Sequence, residues 1–203
     1  MTRTVELIFD FVSPNAYLIW RPLRQVVADG GAQLAVTPVF LGGMHKLTGN
    51  APPMIRDAEI KGKNAYGMLE MNRFIQKHGL TDFRMNPAFP FNSITVQRLL
   101  LTVEGQERER LVDTLLAAIW EEGIDPTDPA GIGKALGAAG FDAKPLLERT
   151  QEAGVKQALM DNTQGAVDRG AFGIPTMYVD TGSGAEMYFG KERLGQIAEQ
   201  LAG

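Results

Sequence analysis

The feature that most restricts the fold is a handover near the N-terminus. TVELIFDFV, residues 4–12, is an apolar run rich in β-branched and aromatic side chains, and it meets Ser13-Pro14 with no linker between. The run reads as a buried strand. Beyond it, Tyr17, Leu18, Trp20, Leu23 and Val27 recur at helical spacing until Gly30-Gly31, a pair that suits a helix end. LAVTPVF, residues 34–40, reads as a second strand. The first forty residues are therefore β-α-β, and a helix between two strands is the connection a parallel pair requires.

From about Gly42 to about Asp168 nearly every segment has helical spacing. After the turn-rich TGNAPP, residues 54–78 place Met68, Met71 and Ile75 on one side, a stripe expected to fill a core. Asn92-Ser93 can cap a helix holding Leu99, Leu100 and Val103; a second spans 107–122, and Asp128-Pro129 starts another with Pro in its first turn. Further helices are expected over 145–152 and 155–168. Strand signals return in TMYVD (176–180) and EMYF (186–189), which flank the turn TGSGA as a hairpin. Leu194, Ile197 and Leu201 then mark a terminal amphipathic helix. The order is that of an α/β thioredoxin-like fold with a large all-helical domain inserted between its β-α-β and β-β-α halves. The expected boundaries are 1–42 and 169–203 for the discontinuous thioredoxin-like domain and 43–168 for the insert.

Composition narrows the chemistry. The 203 residues are 44% hydrophobic and 22% charged with a formal net charge of −4, and no dense run of Lys or Arg offers itself to a phosphate backbone, so nucleic acid is not an expected partner. No apolar run approaches the length that spans a bilayer and no signal-peptide pattern opens the chain, so a cytoplasmic protein without a membrane partner is expected. There is no cysteine. That removes disulfides, a dithiol redox site and any Cys-based metal site, and no metal is expected.

Ser13-Pro14-Asn15-Ala16 stands where a helix begins. The N-terminus of a helix presents unpaired N–H groups and partial positive charge, which favour an adjacent anion and lower the pKa of a thiol placed there. Ser13 reads equally well as an N-cap ahead of Pro at N1, and the two roles are compatible. A Ser-His hydrolase lacks support, since His45 and His78 are the only histidines and no Gly-x-Ser-x-Gly elbow surrounds Ser13.

Several blocks together carry a resemblance: FDFVSPNAYL at 9–18, LGGMHKLTGNAPP at 41–53, FPFN at 89–92, WEEGIDPTD at 120–128, FGIPT at 172–176 and FGKERL at 189–194. In this order the chain resembles the 2-hydroxychromene-2-carboxylate isomerases, which group with DsbA-like proteins and kappa-class glutathione transferases. The resemblance implies glutathione as cofactor, with Ser13 holding its sulfur as thiolate, and Pro175 in a cis-proline loop opposite. It further implies glutathione contacts at Lys46, Asn50, Ala51, Ile174, Gly190, Glu192 and Arg193, with Ile174 pairing to the peptide like an added strand. By their own nature Lys46 reads also as a solvated lysine, Asn50 as a turn former and Pro175 as an ordinary strand-start proline.

The implied substrate pocket includes Asn15, Met85 and Phe89. Asn15 and Met85 stand where aromatics are expected, Glu192 replaces an Asp, and the TGSGA turn is longer than usual. The implied reaction interconverts 2-hydroxychromene-2-carboxylate and trans-o-hydroxybenzylidenepyruvate, in aromatic hydrocarbon breakdown, and the implied assembly is a homodimer. Two alternatives stand beside it: a kappa-like transferase or peroxidase that consumes glutathione, and a non-catalytic thioredoxin-like binding module.

Overall fold

Strand β1 (Thr4–Phe9) lies inside a four-stranded sheet of order β2-β1-β3-β4, in a computed structural model that describes residues 2–203. It runs parallel to β2 (Gln33–Pro38), with Thr4 opposite Gln33 and Phe9 opposite Pro38. On its other side it is antiparallel to β3 (Thr176–Asp180), which forms a hairpin with the edge strand β4 (Ala185–Phe189). The β1 strand ends three residues earlier than the apolar run suggests, because the chain turns at Asp10. Leu7, Ile8 and Phe9 are fully buried, which stabilises the fold by about 1.5–3 kcal/mol per side chain.

Helix α1 (Pro14–Asp29) crosses from β1 to β2 and buries Tyr17, Leu18, Trp20, Leu23 and Val27, the stripe read from the sequence. It continues through Pro22 despite the lost backbone donor. Its C-cap, Gly30, is required by close packing: a Cβ there would lie 2.7 Å from the Leu201 Cβ. Leu201, Leu194 and Ile197 are the buried face of α10 (Leu194–Ala202), which docks on α1 and follows a short 3-10 turn at Lys191–Arg193.

Between β2 and β3 run eight helices: α2 (Leu41–Thr48), α3 (Pro53–Arg56), α4 (Lys63–His78), α5 (Ile94–Leu100), α6 (Gly105–Trp120), α7 (Pro129–Ala138), α8 (Ala143–Arg149) and α9 (Ala153–Asp168). The Asp128 carboxylate accepts from the Ala130 N–H as expected of an N-cap, and Asn92 accepts from Ile94 N–H at the entry to α5. The methionine stripe departs from expectation. Met68 is half exposed, and Met71 and Ile75 are only partly buried. The first two turns of α4 stand clear of the body and expose every residue from Lys63 to Leu69; only farther along does Phe74 become buried. Periodicity defined an apolar face there; the chain covers it at Met71, Phe74 and Ile75, which pack on the core, and leaves Met68 uncovered.

Candidate active site

The resemblance implies that Ser13 and Pro175 face one another, and the structure sets Ser13 against Ile174, the residue before Pro175. Ser13 occupies the N-cap position of α1 in extended conformation (φ −84°, ψ 117°), is buried, and donates its hydroxyl to the Ile174 carbonyl at 3.4 Å. The expected capping bond is absent. The Ala16 N–H, which a capping side chain would take, donates instead to the backbone carbonyl of Ser13 at 2.9 Å. The hydroxyl is thereby left to bond the loop opposite. Neither histidine reaches it: His45 lies on α2, and His78 stacks on Phe74 at 4.3 Å.

The loop opposite is held at four successive carbonyls. Phe172 C=O accepts from the Asn50 side chain at 2.7 Å, Gly173 C=O from the Thr176 hydroxyl at 2.8 Å, Ile174 C=O from Ser13, and Pro175 C=O from Gly190 N–H at 3.0 Å. The Ile174-Pro175 peptide bond is cis. By contrast, the Ile174 N–H has no partner among the described residues. An N–H without a partner on a loop whose carbonyls are fixed is a group with which an extended peptide can pair.

The other expected contacts fall unevenly around this core. Asn50 is already committed on both sides, since its carbonyl oxygen also accepts from Ala51 N–H at 2.8 Å. Its amide moors the α2–α3 connection to the cis-proline loop. The Gly190 N–H donates to Pro175 C=O and is not free for a ligand. Glu192 pairs with the buried Lys191 ammonium, which also sits 5.4 Å from the Phe74 ring. Lys46 and Arg193 are exposed and have no ion pair among the described residues. The side-chain oxygen of Asn15, next to Pro14, is buried without a partner. Met85 is exposed, and Phe89 belongs to an aromatic group with Phe91 and Trp120 at 6.5 and 6.0 Å.

Sequence reasoning missed the polar groups behind Ser13. Asp10 is wholly buried; its carboxylate accepts from Val12 N–H at 3.0 Å and Leu41 N–H at 2.7 Å, and burial raises its pKa from 3.8 to about 6. Gln97, equally buried, donates to Phe9 and Val39 carbonyls at 2.6 and 2.7 Å. The Trp120 indole donates to Phe11 C=O at 3.0 Å. A charge inside TVELIFDFV and a glutamine inside ITVQRLL were the available signals, because buried polar groups persist where they are bonded. A separate cleft of about 380 Å³ opens between α1 and α6; its Arg21 and Arg24 are paired to Glu121, Asp113 and Glu109, and Ser13 does not line it.

A cis-proline loop facing the N-terminus of the first helix, with serine where a redox cysteine would stand, defines a thioredoxin-like protein without dithiol chemistry. The chain belongs to the family of the DSBA-like thioredoxin domain, whose model matches residues 4–202. It is 29% identical to a 2-hydroxychromene-2-carboxylate isomerase of Sphingobium xenophagum over 99% of both chains. It is 28% identical to glutathione S-transferase kappa 1 of Homo sapiens, covering 99% of this chain and 92% of that one. A solved 2-hydroxychromene-2-carboxylate isomerase superposes with a TM-score of 0.81 at 24% identity, covering 98% of this chain and 94% of the other. Its relatives thus include enzymes named as isomerases and as transferases.

Proposed function

We propose that the protein is a glutathione-dependent isomerase that interconverts 2-hydroxychromene-2-carboxylate and trans-o-hydroxybenzylidenepyruvate, or a closely related aromatic-degradation intermediate. The observation that carries this reading is the Ser13 hydroxyl turned away from its own helix toward Ile174, beside an Ile174 N–H without a partner among the described residues and with no cysteine in the chain. These groups fit a cysteinyl peptide: the Ile174 N–H pairs with its backbone, and Ser13 with the N-terminus of α1 holds its sulfur. Bound there, glutathione supplies a thiolate able to add reversibly to a conjugated enone, so that rotation can occur about a bond that was double.

The chain's own groups do the rest. Ser13 reorients its hydroxyl from Ile174 C=O to the sulfur, a hydrogen bond to a charged acceptor, stronger than the long neutral one it replaces. Asn50, Thr176 and Gly190 keep the loop from moving as that happens. Lys46 and Arg193, both exposed and without an ion pair among the described residues, meet the peptide carboxylates in this reading, Glu192 the amine, and Ala51 the peptide flank. Asn15, Met85 and Phe89 line the substrate side. A cytoplasmic location accords with reliance on reduced glutathione.

The reading extends to a homodimer. Met54, Ile55, Ile60, Tyr66, Met68 and Leu69 are 45–66% exposed along α3 and the free half of α4. The charges beside them are paired and nearly balanced, with Asp57 between Arg56 and Lys63 and Glu70 with Arg73. An apolar, charge-balanced arm suits a second copy of itself better than an anionic surface.

A kappa-type transferase is the second reading, favoured by the near-equal identities of 28% and 29% to the two kinds of relative. Spectrophotometric isomerisation with and without glutathione, followed by conjugate analysis, tests the proposal. An isomerase returns glutathione unchanged, and a transferase consumes it. Absence of glutathione binding at millimolar concentration would leave a non-catalytic module.

A further inference from the structure

The loop that carries Ser13 and the helix that carries Lys46 meet at one buried side chain. Helix α2 begins Leu41-Gly42-Gly43, and its own N-cap, Phe40, has no side chain able to bond the first N–H groups. They are served from elsewhere. The Thr163 hydroxyl accepts from Phe40 N–H at 2.9 Å, and one Asp10 oxygen accepts from Leu41 N–H at 2.7 Å. The other Asp10 oxygen takes Val12 N–H at 3.0 Å, and the Asp10 backbone carbonyl takes Ser13 N–H at 3.1 Å. Asp10 is fully buried, with the Ser93 hydroxyl beside it and no charged side chain acting on it.

Only a carboxylate offers two separate acceptor oxygens to two N–H groups from different elements; an amide would turn an NH2 toward one of them. We infer that Asp10 is a positioning residue, which sets α2, with Lys46, at a fixed distance from Ser13 so that one thiol peptide can engage both, its sulfur at Ser13 and a carboxylate at Lys46. The inference rests on the glutathione reading and adds to it a residue that need touch no ligand.

Two substitutions interrupt the link at different ends. Asp10→Asn keeps the size and loses one of the two bonds. Leu41→Pro removes only the N–H on the α2 side, at a first helical position where proline is tolerated, after a Phe40 already extended (φ −104°, ψ 106°); Leu41→Ala controls for the lost side chain. Each linked variant should raise the glutathione Kd and KM about tenfold, as expected for one hydrogen bond to a charged group, with kcat changed far less. The double variant Asp10→Asn/Leu41→Pro should be little worse than either alone, since both remove one coupling.

Glutathione calorimetry below each variant's melting point decides. Unchanged affinity in folded Leu41→Pro, or effects of the two substitutions that simply add, overturns the inference while leaving the function intact. If wild-type protein binds no glutathione, the functional reading fails and the inference falls with it.

Discussion

Replacing Ser13 by Ala separates holding the fold from holding a thiolate. In the structure the hydroxyl makes one hydrogen bond, to Ile174 C=O at 3.4 Å, and no cap. A bond that long contributes about 0.5 kcal/mol. For a chain of this size the melting temperature should therefore fall by only about 1–2 °C, less than a lost cap of about 1 kcal/mol would cause. The effect on bound sulfur is larger. A hydroxyl donated to a thiolate is worth about 1.5–3 kcal/mol, and one pH unit corresponds to about 1.4 kcal/mol, so the bound thiol pKa should rise by about one to two units. The kcat/KM of isomerisation should drop about 10- to 100-fold. Ultraviolet thiolate absorbance of the glutathione complex, followed as a function of pH, measures the first quantity, and steady-state kinetics the second. A variant with an unchanged thiol titration and full turnover would refute the assignment of Ser13.

Three other expectations follow from the geometry. Asn50→Ala should cost about 1–2 kcal/mol of stability and weaken glutathione binding, and Asn50→Asp should be worse, because it sets a carboxylate oxygen against Phe172 C=O; calorimetry ranks them, and equal effects would contradict the mooring role. Asp10 is raised to about 6 by burial, so the folded chain binds that proton more tightly than the unfolded one, and stability falls as pH rises from about 4 to about 6 and then levels. Melting scans of wild type and Asp10→Asn should shift relatively in the variant's favour across that window, and a difference independent of pH would contradict it. Tyr66→Glu with Met68→Glu should convert a dimer to monomers in light scattering, with little loss of monomer stability because both side chains are already exposed; unchanged mass would exclude this arm as the interface.

The strand-helix handover, the hairpin and the terminal helix were legible because apolar β-branched runs bounded by turn residues mark strands and a 3.6-residue period records which side of a helix is covered. Ser13 and Pro175 could be paired because the motif blocks resemble those of a known family, in which these two places face one another; Pro175 alone reads as an ordinary strand-start proline. The orientation of the Ser13 hydroxyl was not legible: Ser-Pro at a helix start is the same string whether or not the side chain caps. Asn50 offered two readings, turn former or ligand, and the structure adds a tether between two loops 122 residues apart. Asp10 escaped because its partners, Val12 and Leu41, are backbone groups, which no residue type announces. The α4 stripe misled for a physical reason. An apolar face implies a cover, and the cover need not belong to the same chain.

The most direct test is the isomerisation of 2-hydroxychromene-2-carboxylate by purified protein, with glutathione present and absent and total glutathione measured before and after. The account requires turnover only with glutathione, and the same amount of free glutathione at the end. Isomerisation at equal rate without it, or its stoichiometric loss as conjugate, would contradict the central claim.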